Sequence, residues 1–140
     1  MAVKSINELL NISKLNSVKQ GKLIEIARGT EEIEKELNGR INQVTGHIFY
    51  LEDRGGNHYH KEKIEVMTIL EGEILVCLMD IDSKIKMTQM VSAGHRFTLP
   101  LGFAHALYNP KPEKVYMLEF SNLRFNPENP MNDVYKYSVL

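Results

Sequence analysis

Tryptophan is absent from the sequence and cysteine occurs once, at Cys77. A lone cysteine excludes an intramolecular disulfide, and its place inside the apolar run from Ile74 to Met79 makes a small buried thiol the expected reading. Charge of one sign is not in excess either: 17 Lys and Arg stand against 18 Asp and Glu, for a formal net charge of -1. Without surplus cations there is little to neutralise a phosphate backbone, so nucleic acid is not an expected partner. No apolar run reaches the roughly 18 residues of a spanning helix. Residues 1 to 10 carry Lys4 and Glu8 within a short apolar stretch, unlike the basic, apolar and small-residue order of a signal peptide. A cytoplasmic protein with no membrane partner is the expectation.

What is present suits one packed domain. The chain has 140 residues, about the size of a single domain, and its 43% of hydrophobic residues is enough for a core. Residues 1–20 read as a short helical lead, with Ile6, Leu9 and Leu10 at helical spacing. From Gly21 onward the texture changes to short strand-like runs broken by Gly, Asn, Asp and Pro. The runs are Lys22–Ala27, Ile41–Leu51, Val66–Leu70, Glu73–Met79, Lys84–Val91, Arg96–Leu99, His105–Tyr108 and Val115–Phe120. This pattern predicts an all-β antiparallel sandwich or barrel over residues 21–120. One helix interrupts it: Thr30–Leu37 is Glu-rich and is stopped by Asn38-Gly39. Residues 121–140 read as a tail lying across the barrel.

The chemistry-bearing residues cluster in two segments. In His58-Tyr59-His60 the two imidazoles sit two apart, so a strand sets them on one face about 7 Å apart at the backbone. Glu65 follows after a length that lets the chain turn and re-enter the sheet, and Gly72 marks the next turn. The segment reads His-X-His-X4-Glu-X6-Gly. The second, Gly94-X5-Pro100-X-Gly102-X2-His105-X3-Asn109, puts His105 at the start of a strand after a turn shaped by Pro100 and Gly102. At average composition its five fixed positions coincide by chance on the order of 10⁻⁷ per starting position. His95, directly after Gly94, is expected in solvent. His47 lies in an alternating run and either face is open to it.

Taken together, the two segments resemble the paired signature motifs of the cupin superfamily. That resemblance implies a jelly-roll β-barrel, here with a short N-terminal helical segment, and commonly a homodimer. It also implies that the matched residues His58, His60, Glu65 and His105 coordinate one divalent transition metal. Three imidazole nitrogens and a carboxylate oxygen suit Fe, Mn, Ni, Cu or Zn and serve Ca or Mg poorly. In a six-coordinate ion, four protein ligands leave two positions for water or substrate. One departure is visible: the family's glycine six residues before the first His is Glu52 here, with Gly55 and Gly56 instead.

Arg54-Gly55-Gly56-Asn57-His58-Tyr59-His60-Lys61 is further similar to a segment of cupin domains in sugar-nucleotide enzymes of surface-polysaccharide synthesis. The resemblance extends to Gly21–Ile26, to Phe125–Pro130 and to sugar 3,4-ketoisomerases. It implies a metal-dependent isomerase or epimerase of a keto-sugar or sugar nucleotide, with Arg54 and Lys61 as candidates to pair with a substrate phosphate. An Fe(II)-dependent dioxygenase and a non-catalytic small-molecule binding cupin are the alternatives.

Overall fold

Ser5 and Glu8 start the first helix: the Ser5 hydroxyl accepts the Glu8 N–H at 3.3 Å and donates to the Glu8 carboxylate at 3.1 Å, an N-cap that satisfies one of the free N-terminal N–H groups. The structure, a computed structural model, describes residues 4–17 and 24–140. Helix α1 spans Ile6–Leu10 and ends at Asn11 in the left-handed region, φ 48°. The expected helical lead is therefore short, and the chain turns at once into β1 (Ser13–Lys14) and β2 (Asn16–Ser17). Of the expected run Lys22–Ala27, β3 (Ile24–Glu25) is seen, and residues 22–23 lie outside the described residues. Helix α2 is Thr30–Leu37, closed by Asn38 at φ 51°, where its sequence signals put it.

The body follows as β4 (Gln43–Phe49), β5 (Arg54–Tyr59), β6 (Glu65–Glu71), β7 (Glu73–Asp80), β8 (Lys86–Ser92), β9 (His95–Leu99), β10 (Phe103–Tyr108) and β11 (Val115–Ser121), with β12 (Tyr135–Lys136) in the tail. Strand β5 is expected only at its end, through His58-Tyr59-His60, because Gly55, Gly56 and Asn57 carry no strand signal, and it stops at Tyr59, one residue short of His60. Strand β8 begins later than its apolar pattern suggests. Asp80 Oδ1 accepts the N–H groups of Asp82 and Ser83, and Lys84 is left-handed at φ 64°, so the turn takes up the first residues of that run.

Among the described residues, two five-stranded sheets form, in the orders β1-β9-β6-β11-β4 and β12-β5-β10-β7-β8, beside a small β2-β3 pair. Every described pairing is antiparallel. The two sheets face each other as a cupin jelly roll. Alternation along the strands sends one set of side chains between them: Phe49, Met67, Ile69, Val76, Leu78, Phe97 and Met117 are buried in that core, with Leu10 of α1 plugging one side. Helix α2 covers the outer face of the first sheet, packing Ile33 and Leu37 on Val66. The tail covers the outer face of the second, where Val139 packs with Ala104, Ala106 and the buried Cys77. Glu52, which stands where cupins carry a glycine, adopts φ 68°, so the backbone shape of that turn is kept without the residue that favours it.

Candidate metal centre

Strands β5 and β10 pair with His58 opposite His105, and the register shifts between His105 and Ala106. The close approach of the two strands requires Gly56. Its φ is +85°, and a Cβ there would come 2.6 Å from the His105 carbonyl oxygen and 3.2 Å from the His105 ring. The second glycine of the Gly55-Gly56 pair thus belongs to the construction of the site. His60 follows β5 by one residue, and Glu65 opens β6 in the facing sheet. Two sheets and three strands therefore deliver the four groups.

Ligand atoms from His58, His60, Glu65 and His105 all lie within 4.8 Å of one another, and the set could hold one metal ion. Ring centroids are 4.7 Å apart for His58–His60 and for His58–His105, and 5.5 Å for His60–His105. The fit is tested by two atoms. His60 Nε2 and Glu65 Oε1 are buried and lack a hydrogen-bond partner, although they stand 2.9 Å apart. Buried polar atoms without partners are costly. Metal–nitrogen bonds of about 2.0–2.1 Å place neighbouring donors of one ion about 3 Å apart and opposite donors about 4.2 Å apart. His60 Nε2 and His105 Nε2 stand 2.9 and 3.6 Å from Glu65 Oε1, near the separation of neighbouring donors, and the limit of 4.8 Å on the whole set exceeds the separation of opposite donors by about 0.6 Å. The residues present fit such a group.

The electrostatics of His58 and His105 agree with ligand chemistry, and those of His60 and Glu65 favour a shared proton where no ion is bound. Burial, with the neighbouring His60 and Lys63, lowers His58 to about 4, and burial drives His105 well below its ordinary value. Both rings are neutral at pH 7, the form that binds metals. Burial also works against a charged His60, but the Glu65 carboxylate and the Asp133 carbonyl beside it outweigh that and raise its value. Burial raises Glu65.

Three further groups extend the site in ways the motifs do not signal. Lys63, in the β5–β6 loop, stands 3.8 Å from Glu65 and 3.6 Å from Glu119 of β11. Glu119 meets His47 Nε2 at 3.1 Å. Burial would raise Glu119, but its contacts with His47, Glu65 and Lys63 prevail and hold it at about 2. His47 thus faces the interior, sharing the β4 face of Phe49. A polar chain runs His47, Glu119, Lys63, Glu65 toward the imidazoles.

Asp133 fixes the loop between His60 and Glu65. Its carboxylate accepts the backbone N–H groups of Lys61, Glu62 and Lys63 at 2.9, 3.0 and 2.7 Å, and its carbonyl oxygen lies 2.6 Å from His60 Nδ1. The Nδ1–H donates to that carbonyl, which leaves Nε2 free toward Glu65. Burial pushes the Asp133 carboxyl up, but the N–H groups of Lys63, Lys61 and Glu62 outweigh it and the net shift is downward. With a folded value below the unfolded one, this stabilisation is complete above the ordinary carboxylate range. It fades as pH falls through the depressed value, below about pH 4. Asp133→Asn is expected to cost about 1–3 kcal/mol of stability by urea denaturation at neutral pH. The same variant should weaken metal binding about 10- to 100-fold by titration.

Arg54 lies four residues before His58, exposed, with its guanidinium 5.0 Å from the centre of the Tyr108 ring. Lys61 is exposed with its ammonium 4.5 Å from the Tyr135 ring. Neither joins the four-residue cluster. His95 is half-buried rather than in open solvent, because β9 pairs it with Lys14 of β1 and its Nδ1 lies 3.2 Å from the Ser92 carbonyl.

Residues 17–135 match the family described as polysaccharide biosynthesis C-terminal domain. The chain belongs to that family. The structure is similar to the capsular polysaccharide assembling protein CapF from Staphylococcus aureus, at 23% identity and a TM-score of 0.64, over 69% of this chain and 27% of that one. It is similar to the dTDP-4-dehydrorhamnose 3,5-epimerase of Elizabethkingia anophelis NUHP1, at 19% identity and a TM-score of 0.65, over 90% and 75% of the two chains. An oxalate oxidase shares 26% identity and a TM-score of 0.51 over 56% of this chain and 40% of its own. All three similarities are to the cupin jelly-roll fold. The chain spans little more than a quarter of CapF, and no curated protein matches it. Among the described residues no helix is long and apolar enough to cross a membrane.

Proposed function

We propose that the protein is a metal-dependent epimerase or isomerase of a keto-sugar nucleotide, with His58, His60, Glu65 and His105 as the ligands of a single divalent transition metal. The observation that carries this reading is the convergence of the four side chains within 4.8 Å, with His60 Nε2 and Glu65 Oε1 left unpartnered in the interior. The family's link to polysaccharide biosynthesis and the structural similarity to sugar-nucleotide epimerases supply the substrate class. When bound, the ion supplies a Lewis acid that polarises a substrate carbonyl.

The chain's own residues supply the rest. Epimerisation next to a ketone moves the proton on the adjacent carbon to a base, leaving an enolate, and a proton from solvent then bonds to that carbon on the opposite face. His47 is the base in this reading. It lies outside the ligand set, it is partly accessible, and the Glu119 carboxylate at 3.1 Å orients its ring. Lys63, between Glu65 and Glu119, offsets the two buried carboxylates and keeps that end of the site from repelling an anionic substrate.

The test is to incubate the protein, loaded in turn with each candidate metal, with a dTDP-4-keto-6-deoxy sugar in deuterium oxide and to follow the carbons flanking the ketone by NMR. Deuterium incorporation or inversion is expected, and His47→Gln should slow it about 10²- to 10⁴-fold at unchanged metal content. Absence of exchange with every metal and with every keto-sugar nucleotide tried would exclude this function. A second reading, oxygen-dependent oxidation, is favoured by the similarity to oxalate oxidase. Oxygen uptake by the iron- or manganese-loaded protein, without epimerisation, would replace the first reading with it.

A further inference from the structure

Strand β12 pairs with β5 so that Tyr135 lies opposite Tyr59 and Lys136 opposite His58. Directly opposed residues in an antiparallel pair share a face. The tail strand therefore sorts its side chains in two directions. Tyr135 stacks on Tyr59 with ring centroids 5.1 Å apart. Lys136 goes to the side of the metal-ligand histidine. There a cavity of about 560 Å³ is bordered by Gly56, His58, Met131, Val134, Lys136 and Tyr137. Its size lies within the usual range for small-molecule sites, and one of its walls belongs to the four-residue cluster.

Lys136 is the cation of that cavity wall, and it is exposed. Neighbouring cations are otherwise engaged. Lys61 stands over the Tyr135 ring, Lys84 donates to the Tyr137 hydroxyl at 2.6 Å and Arg54 stands over Tyr108. Among the described residues, no carboxylate lies within 4.0 Å of the Lys136 ammonium. The strand that carries it is held in place. Asn57, in the left-handed region at φ 56°, accepts the N–H groups of Val139 and Leu140 through its side chain at 2.8 and 2.9 Å. Its carbonyl accepts the Tyr137 N–H at 2.9 Å.

We propose that this cavity is the subsite for the phosphate-bearing part of the substrate, with Lys136 as its anion-binding residue and His58 marking the end at which the sugar reacts. Met131 and Val134 give the apolar wall that a sugar or base packs against, and a lysine on a fixed strand gives the charge that holds a diphosphate. The choice of ligand rests on the sugar-nucleotide reading above.

The subsite is tested by binding rather than turnover. Calorimetric titration of the full chain with dTDP and with thymidine should show dTDP binding more tightly. Lys136→Met should reduce that advantage about tenfold, and Lys136→Arg should retain most of it. Lys114→Met, which removes an equal charge beside Tyr116, should change it less than twofold, and metal content should be the same in all four proteins. Equal affinity of the wild type for dTDP and thymidine, failure to bind dTDP, or an unchanged dTDP affinity in Lys136→Met would each overturn the subsite. A wild type that binds dTDP through Lys136 but exchanges no substrate proton would leave the subsite standing and remove the epimerase. A Lys136→Met protein that epimerises with unaltered KM would do the reverse.

Discussion

Replacing His105 by Ala is expected to abolish stoichiometric binding of a divalent transition metal. His105 has 3% of its surface exposed, and its Nε2 stands 3.6 Å from Glu65 Oε1. It reaches the cluster from β10, the strand next to the one that carries His58. Removing it takes one nitrogen from a set of four donors and leaves a hole that water enters. Loss of an outer hydrogen-bond partner typically weakens metal sites about 10- to 100-fold, and loss of a ligand should exceed that. Elemental analysis of protein purified without added metal should find close to one ion per wild-type chain and almost none in the variant. Metal at about 100 times its dissociation constant stabilises the fold by about 2.7 kcal/mol. For a chain of this size that is a rise of ~10 °C in the melting midpoint, which the variant should not show. A wild type as poor in metal as the variant after reconstitution would remove metal chemistry from the site.

Gly56→Ala is expected to damage both the fold and the metal site. The position combines a left-handed backbone with a neighbour that cannot move aside: the added Cβ would meet the His105 carbonyl oxygen at 2.6 Å and the Ala106 Cα at 3.1 Å. The left-handed conformation alone costs about 1 kcal/mol for a residue with a Cβ. Forcing the strands apart adds about 1–3 kcal/mol. A total loss of about 2–4 kcal/mol should appear as a lower urea midpoint at unchanged slope. Because the atoms displaced belong to His105, metal affinity should fall in parallel. Gly46→Ala is the comparison, since a Cβ there meets nothing within 4 Å, and it should leave metal binding intact.

The four-residue cluster was legible in the sequence because its members lie in two short segments with fixed spacing, and period-two geometry sets His58 and His60 side by side. The β-strand pattern was legible for the same reason. Phe97 and Leu99, two apart about Thr98, and Val115 and Met117, two apart about Tyr116, are buried on one face as period two requires. The supporting residues were not visible. Asp133 reaches His60 and the loop that follows across 70 to 73 residues of sequence, and nothing in the tail's own composition marks one aspartate as a clamp. Glu119 reads locally as a polar residue in an apolar strand. Only the pairing of Met117 with His47 and of Glu119 with Thr45 shows that His47 faces inward beside it. Lys136 illustrates the same limit, since its side is decided by register with a strand whose glycines hid it from pattern reading.

The anchoring of Val139 and Leu140 on Asn57, one residue before His58, makes the tail a brace for the backbone that aims an imidazole. A single amide thus joins two stretches of chain that lie 82 and 83 residues apart, and loosening one loosens the other.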